Sequence, residues 1–164
     1  MSEALEGWTD FNVAMVGATA ALTGLLIVAM SVNIAEIMKS PTLPPRAAAS
    51  IAALVLAIAA GALGLFPGQP DVAYGIEVLA GAAIASAFQV HSIRVIARDE
   101  PIALSDRIAK STAGVLPVAG FLLGGVFIVA GSVAAGLVAL AIGSVLAIIA
   151  AILMAWVVLV EVLR

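Results

Sequence analysis

The sequence predicts an all-α fold, a bundle of five membrane-spanning helices that forms a single domain over residues 1–164. Hydrophobic residues make up 64% of the chain and charged residues 10%, against about 45–50% and about 25% in soluble domains. The mean hydropathy is +1.26. About 105 of the 164 residues are therefore apolar, and at roughly 20 residues a span this sets a ceiling of five spans. This composition excludes a soluble enzyme, a disordered chain and a coiled coil, and the absence of polar–apolar alternation excludes a membrane β-barrel.

Proline-containing segments separate the first three predicted spans. The first span covers residues 11–38, and Pro41, Pro44 and Pro45 predict a short loop after it because proline does not continue a helix. The second span covers residues 46–66 and ends at the Pro-Gly-Gln-Pro segment 67–70. The third covers residues 72–97, and the polar segment that follows is too short to form a domain.

The C-terminal part of the chain predicts a hairpin of two further spans. Residues 113–163 form a run of 51 residues without Lys, Arg or Asp. A single helix of that length would measure about 75 Å, against a hydrocarbon core of about 30 Å, so the run must fold back. The glycine-flanked segment 131–136 predicts the turn, with spans over residues 115–130 and 137–163. Pro117 predicts a bend or a break inside the fourth span.

The basic residues predict the orientation of the five spans. Cytoplasmic loops collect Lys and Arg, and a five-span chain places all seven basic residues on one side, with the N-terminus outside and the C-terminus inside. These residues are Lys39, Arg46, Arg94, Arg98, Arg107, Lys110 and Arg164. Trp8 and Tyr74 are predicted near the outer interface and Trp156 near the inner one, as in aromatic belts.

Several classes of site and partner are excluded by what the sequence lacks. There is no Cys and a single His, so we expect no metal site, no cofactor and no catalytic residue, and no enzymatic signature is present. The sparse basic residues exclude nucleic acid as a partner. The acidic N-terminus lacks the positive region of a signal peptide, so the first span is expected to be retained in a multi-pass membrane protein.

Small residues at helical spacing predict close helix packing in every span except the second. Such faces let helix backbones approach in lipid, either within one chain or between copies of it. Packing within the chain is favoured for any single motif, yet five short helices with so many glycine faces also predict contact with another chain. The candidate interface residues are Gly17, Gly24, Gly81, Gly120, Gly124 and Gly143.

Polar residues on the first and third spans predict a possible path across the membrane. Asn12, Thr19 and Thr23 fall within about 40° on the first span, with Asn33 further round. The third span adds Glu77, Gln89 and His91. A path for a proton or an ion is one interpretation, because ionisable groups inside spans are often functional. The alternatives are hydrogen bonds between helices, hydrogen bonds from Thr to its own backbone, and acceptance by Glu77 of a hydrogen bond from Asn12 or Thr9.

The opening segment from Trp8 to Asn33 resembles a family of small multispan membrane proteins common in actinobacteria. The similarity continues through Arg46, the Pro67-Gly68 turn, the Gln89-Val90-His91 triplet and the closing residues 161–164. It covers most of the chain and implies a multi-pass protein of the bacterial cytoplasmic membrane, without a particular activity. It also directs attention to Asn33, Glu77 and His91.

Two main functions remain open at this stage, and the binding of a lipid acyl chain by the kinked, glycine-rich bundle is a third. The first is a homo-oligomeric channel or transport-like conduit for a small ion or solute. The second is a membrane scaffold or accessory subunit that packs against another membrane protein through its glycine faces. Both hypotheses use the same residues, and the expected partners are the lipid bilayer, a second copy of the chain and another membrane protein.

Overall fold

The chain is helical in a computed structural model, which describes residues 3–98 and 104–161 and contains no strand within those ranges. The helices are α1 (Glu3–Glu6), α2 (Thr9–Val32), α3 (Ile34–Ile37), α4 (Leu43–Leu63), α5 (Asp71–Arg98), α6 (Leu104–Val129) and α7 (Val133–Trp156), followed by a π-helical turn, Val157–Glu161.

Four of these helices are long and apolar enough to cross a membrane. They are α2, α4, α5 and the continuous helical segment Val133–Val160, which joins α7 to its π-helical turn. The fourth predicted span corresponds to α6, whose apolar part, Gly114–Val129, is shorter. The all-helical class is therefore confirmed, and the four long apolar helices fit the membrane protein predicted from composition.

The first predicted span does not form one continuous helix, because the helix is interrupted at Asn33, five residues before the predicted end. This residue leaves the helical conformation (φ −105°, ψ 18°), and α3 follows as a separate short helix. The Asn33 side-chain amide donates to the Ala29 carbonyl over 3.1 Å. An Asn side chain that bonds a nearby carbonyl competes with the helical hydrogen bonds of the backbone, which accounts for a helix end at this residue.

The prolines before the second span are also placed differently from the prediction. Pro44 and Pro45 lie inside the first turn of α4 rather than in the loop. Proline is tolerated there because the N–H groups of the first turn have no partner within the helix. The helix accordingly begins three residues before the predicted boundary.

The hairpin between α6 and α7 is tighter than the predicted segment 131–136. Gly131 has a φ of +87°, a conformation that glycine adopts readily, and the Ser132 N–H donates to the Phe127 carbonyl over 2.8 Å. Gly136 lies within α7 and not in the turn. Pro117 does not end α6, which continues through it to Val129.

Neighbouring long helices run in alternating directions. α4 packs against α2, α5 and α7, while α6 packs mainly against α5 and α7. The main core cluster joins Leu5 of α1 to residues of α4, α5, α6 and α7, and its largest buried members are Tyr74 and Phe121. α2 contacts chiefly α4 and therefore lies at the edge of the bundle.

Candidate functional site

One polar cluster lies where α2, α5 and α7 begin and α4 ends, and we call it the Tyr74 cluster. Asn12, Tyr74 and Ser144 line it around a cavity of about 10 Å³. The Tyr74 hydroxyl donates to the Ala60 carbonyl over 3.1 Å, and Ser144 Oγ donates to the Leu140 carbonyl over 2.9 Å. The space suffices for one water molecule at most, so the cluster ties helices together and does not form a passage.

The structure corrects the position predicted for Tyr74. Its side chain is 2% exposed and lies in the core, and so it does not belong to an aromatic belt at the membrane surface. The physical reason is the hydrogen bond to Ala60, which satisfies the hydroxyl and allows the ring to be buried. Asn12 lies beside it, and its amide nitrogen has no hydrogen-bond partner among the described residues.

The second polar site is a cavity of about 230 Å³ at the other end of the bundle, which we call the Gln89 cavity. It lies where α4 and α6 begin their apolar parts and α5 and α7 approach their ends. Arg46, Ser50, Gln89 and Ser92 supply its polar side chains. Gly114 makes room for Gln89, since a Cβ atom at residue 114 would clash with the Gln89 side-chain amide.

The predicted stripe on α2 satisfies most of its polar groups within its own helix. Thr19 Oγ1 donates to the Met15 carbonyl over 2.6 Å, and Thr23 Oγ1 donates to the Thr19 carbonyl over 2.7 Å. Asn33 donates to Ala29 in the same way. Of the alternatives left open by the sequence, hydrogen bonding of Thr to its own backbone is therefore the one observed.

The predicted pair on α5 shares one helix face, and that face points outward. Glu77 and His91 are both exposed, and Ile84 between them is 65% exposed. Glu77 accepts a hydrogen bond from Gln69 Nε2 in the preceding loop, and not from Asn12 or Thr9. The Thr9 hydroxyl instead donates to the Glu6 carbonyl.

The polar residues of the predicted path do not line one continuous channel. Asn12, Glu77 and Gln89 line three different cavities. Small buried apolar residues, Ala53, Ala147 and Ala151, form a separate cluster with Leu54. Their side chains offer no polar group, so the Tyr74 cluster and the Gln89 cavity are separate sites.

Three of the candidate interface glycines pack against another helix of the same chain. A Cβ atom on Gly120 would lie 2.7 Å from the Cα atom of Gly143, and one on Gly143 would lie 3.1 Å from the Pro117 carbonyl oxygen. Gly124 faces Gly136, whose carbonyl oxygen would lie 2.9 Å from an added Cβ atom. These residues let the backbones of α6 and α7 approach closely.

The candidate glycines of α2 have a different environment. Gly17 and Gly24 are exposed, and an added Cβ atom would meet nothing within 4 Å among the described residues. Gly81 on α5 is intermediate, since a Cβ atom there would meet only the end of the Leu56 side chain, at 2.9 Å. The candidate glycines therefore fall into two groups, those packed against another helix of the chain and those beside open space.

Comparison of the chain with family models, with curated proteins and with solved structures finds no match in any of the three searches.

The polar residues that line the cavity beside Gln89 were not singled out as site residues from the sequence. Arg46 and Ser50 are four residues apart on α4, and Gln89 and Ser92 are three apart on α5. Both spacings place two polar side chains on the same helix face. This spacing could have predicted that each pair contributes to one site. Gly75 and Gly125 were also missed, and they bring α5 and α6 together.

Proposed function

We propose that the chain is a five-span integral membrane protein that assembles with further copies of itself through the exposed face of α2. The observation that carries this proposal is the environment of Gly17 and Gly24, where an added Cβ atom would meet nothing within 4 Å among the described residues. Helix association in lipid depends on close backbone approach at small residues, since the lipid tails are as apolar as the side chains. A second α2 helix offers a surface that matches this face.

The composition of α2 supports this role. Its inner face buries Asn12, Thr19 and Leu26, whereas the outer face exposes Val13, which is 57% exposed, together with the two glycines. Glycine flanked by larger apolar residues forms a shallow groove that a ridge of another helix fills.

Five spans and the proposed orientation are supported by the alternation of helix direction. The apolar part of α6, Gly114–Val129, corresponds to about 24 Å, so α6 would cross a hydrocarbon core of about 30 Å only together with part of the polar turns that precede it. Arg46 and the last turns of α5 lie at the same end of the bundle, and the basic residues of the sequence favour the cytoplasmic side for that end. With the family resemblance, this supports the bacterial cytoplasmic membrane as the location.

A conduit between copies is the second candidate function. It is favoured by one observation, the outward position of Glu77 and His91 on a single face of α5. Such residues would border a path only after another copy had packed beside them. Ion flux in liposomes that is lost on Glu77→Ala would support this function, whereas the absence of flux from the original protein would contradict it.

The experiment for the main proposal is native mass spectrometry of the full chain released from a mild detergent. We expect a closed homo-oligomer for the original protein and a monomer for the Gly17→Leu/Gly24→Leu double variant. Ala83→Leu is the matched control, because Ala83 is exposed on α5 and lies outside the proposed interface. A monomeric original protein would contradict the proposal, and a complex with a different membrane protein would favour the accessory-subunit alternative.

A further inference from the structure

The Gln89 cavity combines polar donors on one side with an apolar wall on the other. Arg46 and Ser50 project from α4, and Gln89 and Ser92 project from α5. The apolar wall comes mainly from α7 and includes Leu153, Met154 and Val157. A volume of about 230 Å³ is below the roughly 300–1,000 Å³ of pockets for drug-sized molecules, so the cavity suits a small polar group with a few attached carbons.

Ser50 carries the strongest indication that the cavity binds a ligand. Its Oγ atom is buried and has no hydrogen-bond partner within the described part of the chain. Ser86 and Ser144, by contrast, each donate to the carbonyl four residues earlier. A buried hydroxyl without a partner is unfavourable by about 1–3 kcal/mol, and an acceptor bound in the cavity would remove that penalty.

The charge and the arrangement of the donors indicate an anion. Arg46 supplies a permanent positive charge and five N–H donors in a planar fork. Gln89 and Arg46 both have polar partners in the protein, but each carries more than one donor, so a ligand can share them. A phosphoryl group presents three acceptor oxygens, so donors from α4 and donors from α5 can each bind one of them.

We propose that the Gln89 cavity binds a phosphoryl group, borne by an anionic phospholipid or by a small soluble phosphate ester. The phosphate oxygens accept hydrogen bonds from Arg46 and Ser50, with Gln89 and Ser92 beside them. The glycerol carbons of a phospholipid contact Leu153 and Met154, and the acyl chains remain in the bilayer. Basic pockets between helices at the cytoplasmic end of membrane proteins bind phospholipid headgroups in this way. This site goes beyond the proposed self-association and uses none of its residues.

The test measures ligand binding to the purified full chain by native mass spectrometry, with three probes. Dioleoylphosphatidylglycerol carries the phosphoryl group, dioleoylglycerol has the same acyl chains without it, and glycerol 3-phosphate is soluble. We expect one phosphatidylglycerol bound per chain, with at least ten-fold weaker binding of dioleoylglycerol. Arg46→Gln should weaken phosphatidylglycerol binding by about ten-fold or more and Ser50→Ala by about five-fold.

Ser50→Ala is the decisive variant, because it removes a hydroxyl that makes no hydrogen bond within the described chain. Its melting temperature without ligand should therefore be no lower than that of the original protein, because the variant also loses the penalty of the unpartnered hydroxyl. Ser86→Ala is the control, since Ser86 is on α5 and is not among the residues that line the cavity. Its ligand affinity should be unchanged.

The outcomes separate the sources of the ligand and can overturn the proposal. Binding of phosphatidylglycerol that weakens on Ser50→Ala supports a lipid ligand. Binding of glycerol 3-phosphate with the same loss supports a soluble phosphate ester. The proposal is overturned if neither phosphate probe binds, if dioleoylglycerol binds as tightly as phosphatidylglycerol, or if Ser50→Ala and Ser86→Ala bind the phosphate probes as the original protein does.

Discussion

The hairpin of α6 and α7 and the edge helix α2 carry the same kind of small-residue motif in opposite environments. In the hairpin, a Cβ atom on Gly120 would lie 2.7 Å from the Cα atom of Gly143, so the two backbones are in direct contact. On α2, a Cβ atom added to Gly17 or Gly24 would meet nothing within 4 Å in the part of the chain that the structure describes. The spacing of small residues therefore indicates a surface suited to close packing, and it does not identify the partner.

Chain connection explains the difference between the two regions. α6 and α7 are joined by a turn of three residues, from Ala130 to Ser132, so the two helices must lie side by side. α2 is separated from α4 by the break at Asn33, by α3 and by a proline-containing loop. It packs on α4 through the opposite face, which includes Thr19 and Leu26, and its glycines remain on the outside.

The largest expected effect comes from filling the hairpin contact. Gly120→Val should lower the free energy of unfolding by about 3 kcal/mol or more, because its branched side chain would meet the backbone of α7, which cannot move aside without separating the helices. The measurement is chemical unfolding of the purified protein in detergent, followed by circular dichroism.

The matched control for this change is Gly24→Val on α2. In the dissociated chain it introduces the same side chain where there is open space. Only helix propensity should then matter, and valine should stabilise the helix relative to glycine by about 0.3–0.5 kcal/mol. Equal losses in the free energy of unfolding for Gly120→Val and Gly24→Val would contradict the distinction between glycines packed against another helix and glycines beside open space.

A smaller effect is expected at the contact between α5 and α6. A Cβ atom on Gly75 would lie 2.8 Å from a methyl carbon of Val129 and 3.2 Å from the Gly125 carbonyl oxygen. The methyl group can shift but the carbonyl group cannot, so Gly75→Ala should destabilise the protein by about 1–2 kcal/mol. A shift in the same unfolding curve of less than a few tenths of a kcal/mol would show that this contact is loose.

The smallest expected effect, and one of opposite sign, is on α2. Gly17→Ala should leave the dissociated chain unchanged or stabilise it by up to about 1 kcal/mol, because alanine favours helix more than glycine and no neighbour obstructs the new methyl group. Thermal unfolding at a protein concentration that keeps the chain monomeric would measure it. A marked destabilisation would mean that Gly17 is packed within the chain.

Much of the fold could be predicted from the sequence, because the length of each apolar segment and the proline and glycine residues between segments determine the helices locally. The all-helical class and the start of α5 near residue 72 follow from composition and from the Pro-Gly-Gln-Pro segment. The break at Asn33 was missed because apolar residues continue on both sides of it, and the deciding interaction is one side-chain hydrogen bond to Ala29. The prolines of α4 were misplaced because proline breaks a helix interior but fits a first turn.

The candidate sites were harder to predict, since they depend on how the helices rotate against one another. Helical periodicity places Glu77 and His91 on one face of α5, but periodicity does not say whether that face points inward, and in the structure both side chains are exposed. Tyr74 was expected at the membrane surface, and the hydrogen bond that buries it joins residues 14 positions apart. The Gln89 cavity joins four helices, and no local pattern contains that information.

The central claim, that the open face of α2 contacts a second copy, is tested most directly by disulfide cross-linking in native membranes. The chain has no cysteine, so Ala21→Cys places a single thiol between Gly17 and Gly24, and Ala83→Cys places one on the exposed surface of α5 as a control. We expect oxidation to yield a covalent dimer for Ala21→Cys and little or none for Ala83→Cys. Absence of the dimer from Ala21→Cys, or equal amounts from both variants, would contradict the claim.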